Sequence, residues 1–162
     1  MKALRFVSIP LFIAIALGAA AAQTRRLEWR DLTAPQGVAP AQNIELAGYL
    51  LPVDREGSDV YEFVLVPVPG ACSHMPTPPP NQLVRVALSR PYHSSGVYEP
   101  VAVSGNLRSD PTRLQLFILD GVKVIDADYS IGSARVVPAP DLPPMPGLGN
   151  PMLSRNKPAG HP

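Results

Sequence analysis

Apolar and polar residues alternate along much of this chain with a period of two, the spacing of a half-buried strand. Between Asn43 and Leu51, Ile44, Leu46, Gly48 and Leu50 fall on one side, and Glu45, Ala47 and Tyr49 on the other. Tyr61–Val66 is a second strand, rich in β-branched and aromatic residues and ended by Pro67 and Pro69. Leu83–Leu88 and Val101–Leu107 make a third and a fourth. Leu114–Leu119 and Val122–Tyr129 flank Asp120-Gly121, a hairpin signal. Ala34–Ala41 reads as a loop and Asp54–Asp59 as a polar turn. Arg25–Leu32 predicts a short strand or a turn of helix anchored by Leu27, Trp29 and Leu32. No stretch of adequate length carries a helical period.

Two of these strands echo each other. Ile44-Glu45-Leu46-Ala47-Gly48-Tyr49-Leu50 and Val101-Ala102-Val103-Ser104-Gly105-Asn106-Leu107 share an apolar-x-apolar-x-Gly-x-Leu pattern. Glycine inside a strand marks a bulge, a sharp bend or a close backbone approach. Five or six short strands bent at Gly48 and Gly105 predict an all-β fold, a small OB-like barrel, with a β-sandwich as the alternative.

The ends differ from this middle. Met1–Leu17 has a basic start at Lys2 and Arg5, then an apolar run too short for a spanning helix. Ala20 and Ala22 fit a small-x-small cleavage site before Gln23, so residues 1–22 read as a signal peptide and the chain as exported to the periplasm. No integral membrane segment is expected after cleavage. Residues 23–137 form a single predicted β-domain. Residues 138–162 are dense in proline and glycine and read as an extended, disordered tail. The whole chain carries a formal charge of +1; losing Lys2 and Arg5 turns it weakly negative. Without a clustered basic face, nucleic acid is excluded as a partner. A lone cysteine forms no internal disulfide, so the core must hold the fold.

Candidate chemistry is concentrated in Gly70-Ala71-Cys72-Ser73-His74-Met75, followed by Pro76-Thr77-Pro78-Pro79-Pro80-Asn81-Gln82. Prolines locked near φ −65° favour a stiff polyproline II rod. Cys72 and His74 share one side of an extended segment, and thiolate and imidazole are zinc and copper ligands; the Met75 thioether suits Cu(I). A structural zinc site normally uses four protein ligands, so His93 and carboxylates would have to complete the set. The competing reading is a small buried cysteine and a hydrogen-bonded histidine that pack the turn. A thiol–imidazole nucleophile is weaker still, because Cβ atoms two residues apart in a strand are about 6–7 Å apart. There is no Cys-x-x-Cys pair, Gly-x-Ser-x-Gly elbow or phosphate loop. These residues point to a non-catalytic binding module, with a zinc or copper carrier or sensor, and a thiol-dependent enzyme, as alternatives.

Trp29-Arg30-Asp31-Leu32, Gly48-Tyr49-Leu50-Leu51-Pro52, Glu62-Phe63-Val64-Leu65-Val66-Pro67, Gly70-Ala71-Cys72-Ser73-His74 and Pro78-Pro79-Pro80-Asn81-Gln82 resemble the family known as domain of unknown function 3299. Val103-Ser104-Gly105-Asn106-Leu107 matches its later Val-x-Gly-x-Leu strand. The resemblance spans roughly Leu27 to Tyr129, and its most specific part is the Cys-x-His and polyproline-Asn-Gln signature. The chain departs from the family at Met75-Pro76-Thr77, where members show a longer proline run. The resemblance implies a periplasmic protein that accompanies ABC transporter components, in some cases within metal-responsive gene clusters. It implies no established activity.

Overall fold

The computed structural model describes residues 24–34, 42–73, 75–118 and 121–143. The predicted signal peptide, His74 and most of the Pro-rich tail lie outside the described residues. Among those described, no helix is long and apolar enough to cross a membrane.

The elements are β1 (Arg25–Leu27), α1 (Trp29–Leu32), β2 (Gln42–Glu56), β3 (Asp59–Val66), a 3₁₀ turn (Pro80–Gln82), β4 (Val84–His93), β5 (Glu99–Ile118) and β6 (Gly121–Pro138). They form a sheet in the order β1-β2-β3-β4-β6-β5, and β5 pairs back onto β2. The ring β2-β3-β4-β6-β5-β2 is therefore closed, an OB-like barrel rather than a sandwich. All ring pairings are antiparallel except β4–β6, which is parallel. Closure leaves the ring strands without free edges where they pair on both sides. β1 adds in parallel to β2, with Leu27 opposite Leu46.

Several strands outrun their predicted limits. β2 continues through Pro52 to Glu56, so the predicted polar turn shrinks to Gly57-Ser58, with Gly57 at φ 60°. Arg25–Leu32 divides into a strand followed by a single helical turn. β5 runs 20 residues and carries Pro111 in a register shift between Ser109 and Thr112, where the missing N–H breaks no regular ladder. The predicted tail boundary also moves. Pro138 is the last residue of β6, the Ala139 amide donates to the Pro100 carbonyl at 2.9 Å, and Leu142 packs against the barrel wall.

Pleating splits the apolar residues into two cores. Inside the barrel lie Ile44, Leu46, Leu50, Phe63, Leu65, Val84, Val86, Val101, Val103, Leu107 and Ile131, with Leu27 and Leu32 joining them from β1 and α1. The second core forms on the outer face of β2 and β3, where Tyr49, Leu51, Val64 and Val66 point away from the interior. It is covered by Ala71, Cys72 and Leu83, by Tyr98, and by Leu114, Leu116, Ile125 and Ala127 from the far half of the β5–β6 hairpin.

The two echoed glycines are both positions of close approach. A Cβ on Gly48 would stand 2.8 Å from the Val66 carbonyl oxygen, 2.9 Å from the Trp29 ring and 3.0 Å from Leu65. Trp29 occupies the space this glycine leaves and donates its indole N–H to the Ala47 carbonyl at 2.8 Å. Gly105 is the single β5 residue between the pairs Ser104↔Arg135 and Asn106↔Gly132, so it faces two residues of β6 across a bulge. A Cβ there would lie 2.6 Å from Ile131 Cγ2.

Candidate functional site

Pro67 and Pro69 end β3 because neither can donate to a ladder. The chain then turns tightly: the Ser73 and Met75 amides both donate to the Gly70 carbonyl, at 3.2 and 3.0 Å. Gly70 (φ 85°) and Cys72 (φ 68°) supply the left-handed residues of this turn. For cysteine that conformation costs on the order of 1–2 kcal/mol, so surrounding contacts must hold it. They are substantial. Cys72 is fully buried in the second core, and Lys123 Nζ donates to its carbonyl oxygen at 3.0 Å.

Tyr98 (φ 60°), another left-handed non-glycine residue, braces the same turn. Its hydroxyl donates to the Ala71 carbonyl and pairs with Ser73 Oγ at 2.7 Å, while its amide donates to Leu50 O at 2.7 Å. Burial pushes the Cys72 thiol above its ordinary range, outweighing the Lys123 charge and a Thr77 hydrogen bond that act in the other direction. A thiol held protonated and out of solvent is a poor ligand and a poor nucleophile.

The other residues singled out by sequence are dispersed. His93 ends β4, pairs with Asp59 and has its Nδ1 3.1 Å from Asp59 Oδ1. That is the opposite end of β3 from the Cys72 turn, about 23 Å along a strand at about 3.3 Å per residue. The structure does not bring His93 to Cys72. Among the described residues, no three His, Cys, Asp or Glu side chains are grouped to hold a metal ion. Pro79 (φ −62°, ψ 155°) has the polyproline II geometry expected of the rod, which ends in the 3₁₀ turn. Asn81 and Gln82 lie in that turn, and Asn81 Oδ1 is buried without a hydrogen-bond partner among the described residues. Trp29 and Gly48 serve packing, as described above.

A groove that the sequence did not reveal lies on the outer face of β4, β6 and β5. Its volume is about 390 Å³, and Arg85, Asn106, Arg108, Asp110, Ser130 and Ser133 line it. Alternation turns Arg85, Asn106, Arg108 and Ser130 outward because their neighbours Val84, Val86, Leu107 and Ile131 point into the barrel, while a bulge between the inward-facing Ile131 and Ala134 exposes Ser133. The groove floor is the β6 bulge, where Ser133 adopts φ 52° and both ladders shift register. Bulges re-aim side chains and recur beside binding sites. Arg85 is fixed by two hydrogen bonds to Glu62, 2.8 and 3.1 Å long, which raise its pKa further; Asp110 adds to the same effect. Ser130 Oγ donates to Asp110 Oδ2 at 3.0 Å. Two guanidiniums, a carboxylate, an amide and hydroxyls thus share one open depression, suited to a small polar ligand carrying both donors and acceptors. These residues were missed because they are scattered over three strands. The one available signal was that Arg85, Asn106, Arg108 and Ser130 occupy the polar phase of their strands.

A solved structure with the same fold is a DUF3299 family protein from Pseudomonas aeruginosa, 22% identical, with a TM-score of 0.57 over 72% of this chain and 97% of that one. No curated protein matches the sequence. The family model described as "Protein of unknown function (DUF3299)" matches residues 18–137. The chain is therefore a member of the DUF3299 family.

Proposed function

We propose that this protein is an exported, non-catalytic binding module of the periplasm that seats a small polar ligand in the β4–β6–β5 groove and serves an ABC-type envelope transport system. The observation that carries the binding reading is the groove, where Arg85, Arg108, Asp110 and Ser130 converge over a bulged floor. Export rests on the leader-like Met1–Ala22. The association with transporter components rests on the family resemblance alone. The zinc or copper reading would need Cys72 as a thiolate, and burial of the thiol, which outweighs the nearby Lys123 charge, works against it. The same burial disfavours a thiol nucleophile.

The test is thermal unfolding in the presence of a protein-free small-molecule extract of the periplasm. A ligand that binds the native state alone raises the melting temperature by mass action. The wild type should be stabilised and Arg108→Ala should not. An extract that shifts neither protein, or both equally, contradicts the groove as the ligand site.

A further inference from the structure

The β5–β6 hairpin reaches beyond the barrel. β2 accompanies β5 only as far as Leu107, and β4 joins β6 only from Tyr129, so among the described residues Thr112–Ile118 and Gly121–Ala127 pair with each other alone. One face of this arm is the lid of the second core, through Leu114, Leu116, Ile125 and Ala127. The opposite face becomes more apolar towards its end. Arg113 pairs with Asp126 nearest the barrel, Gln115 with Val124 next, and Phe117 with Val122 at the end. Phe117, Val122 and Val124 are 74%, 60% and 53% exposed, far above any side chain of the core.

We propose that this hairpin end is a lipid-docking tip, with Phe117, Val122 and Val124 entering the interface of a bilayer while the packed face keeps the arm rigid. Docking by this tip is independent of the ligand groove. Three features favour a bilayer over a globular partner or a second copy. Among the described residues, the exposed side chains Phe117, Val122 and Val124 present on the order of 300 Å² of apolar surface, well short of the about 800 Å² per partner of a stable protein interface. A bilayer needs no complementary shape: each apolar side chain that enters contributes independently. The charges on the arm are also already matched. Arg113 Nε is 2.9 Å from Asp126 Oδ1, and Lys123 is turned inward to the Cys72 carbonyl. The tip therefore has no basic collar among the described residues, and its docking should depend little on anionic lipid or salt. A tip this small gives reversible attachment rather than a permanent anchor.

The experiment uses the chain as the cell processes it, so that its N-terminus is identical in every sample. Vesicles of phosphatidylcholine, alone or with phosphatidylglycerol, are sedimented with the wild type and with Phe117→Ser/Val122→Ser. The wild type should partition to both vesicle types, and the double variant should lose about tenfold or more of that partitioning with unchanged melting behaviour. A Phe117→Trp variant supplies a second readout: its emission should shift to the blue on vesicles and be quenched by brominated lipid, against the constant background of Trp29. No wild-type binding, equal binding by the double variant, or emission from the introduced tryptophan that is indifferent to vesicles would overturn the proposal. So would a wild-type dimer that the double variant dissolves, which would make the tip a self-association surface.

Discussion

Gly48→Ala would place a methyl carbon 2.8 Å from the Val66 carbonyl oxygen, 2.9 Å from the Trp29 ring and 3.0 Å from Leu65. All three distances are well inside van der Waals contact, and the nearest atom is the least able to retreat. Val66 pairs with Tyr49 in the β2–β3 ladder, so its carbonyl moves only if the strand moves. Relief must come from the Trp29 ring, which would tilt away and lose its 2.8 Å hydrogen bond to Ala47 O. Overpacking of this kind costs about 1–3 kcal/mol, and the lost indole bond about 1 more. The expected total is about 2–4 kcal/mol, or roughly 8–16 °C in melting temperature for a domain of this size. Urea unfolding followed by fluorescence measures both parts at once, because Trp29 is the single tryptophan. Gly132→Ala is the internal control: among the described residues nothing lies within 4 Å of its would-be Cβ, so stability should stay within about 0.5 kcal/mol. A Gly48→Ala protein as stable as wild type, with unchanged Trp29 emission, would refute the packing argument.

Cys72→Ser should fold and lose about 1–3 kcal/mol, because a hydroxyl replaces a thiol in an apolar pocket, and denaturation midpoints will show it. Native Cys72 should react with an aromatic disulfide far more slowly than unfolded protein; equal rates would contradict its burial. Stability should decline at alkaline pH. Burial raises the pKa of Cys72, and of the Tyr49, Tyr92 and Tyr98 phenols, so the folded state holds these protons more tightly. Their contribution is complete below the unfolded values, about 8.5 for the thiol and about 10 for the phenols, and is lost as pH rises past them. Melting temperatures taken upward from neutral pH check this, and Cys72→Ala should remove the earliest part of the fall. Glu99→Gln should cost about 1–3 kcal/mol, since the carboxylate accepts from Tyr92 Oη, Ser94 Oγ and the Ser95 amide at 2.7–2.8 Å.

The barrel was legible because half-buried strands write their inward faces into the sequence: Ile44, Leu46 and Leu50 on β2, and Val101 and Val103 on β5. The second core was not drawn from the pattern, although Phe63-Val64-Leu65-Val66 carried its signal. Four consecutive apolar residues in a strand mean that both faces are covered, and here Phe63 and Leu65 face inward while Val64 and Val66 meet the hairpin. β5 looked like two strands because Arg108-Ser109-Asp110-Pro111-Thr112-Arg113 reads as a polar break. The strand passes through it because a register shift accommodates the proline. Cys72 drew attention as a candidate ligand, yet only the three-dimensional contacts reveal its burial, its left-handed φ and its partners Tyr98 and Lys123. Those partners lie far away in sequence, at the entry to β5 and on β6.

Native mass spectrometry of protein recovered from the periplasm tests most directly whether the groove, rather than the Cys72 turn, is where this chain binds. Wild type, Arg108→Ala and Cys72→Ser would be compared with and without chelator. If the groove is the site, wild type and Cys72→Ser carry a chelator-resistant bound mass that is absent from Arg108→Ala, with every polypeptide beginning at Gln23. A zinc or copper mass that chelator strips, present on Arg108→Ala and missing from Cys72→Ser, would contradict it.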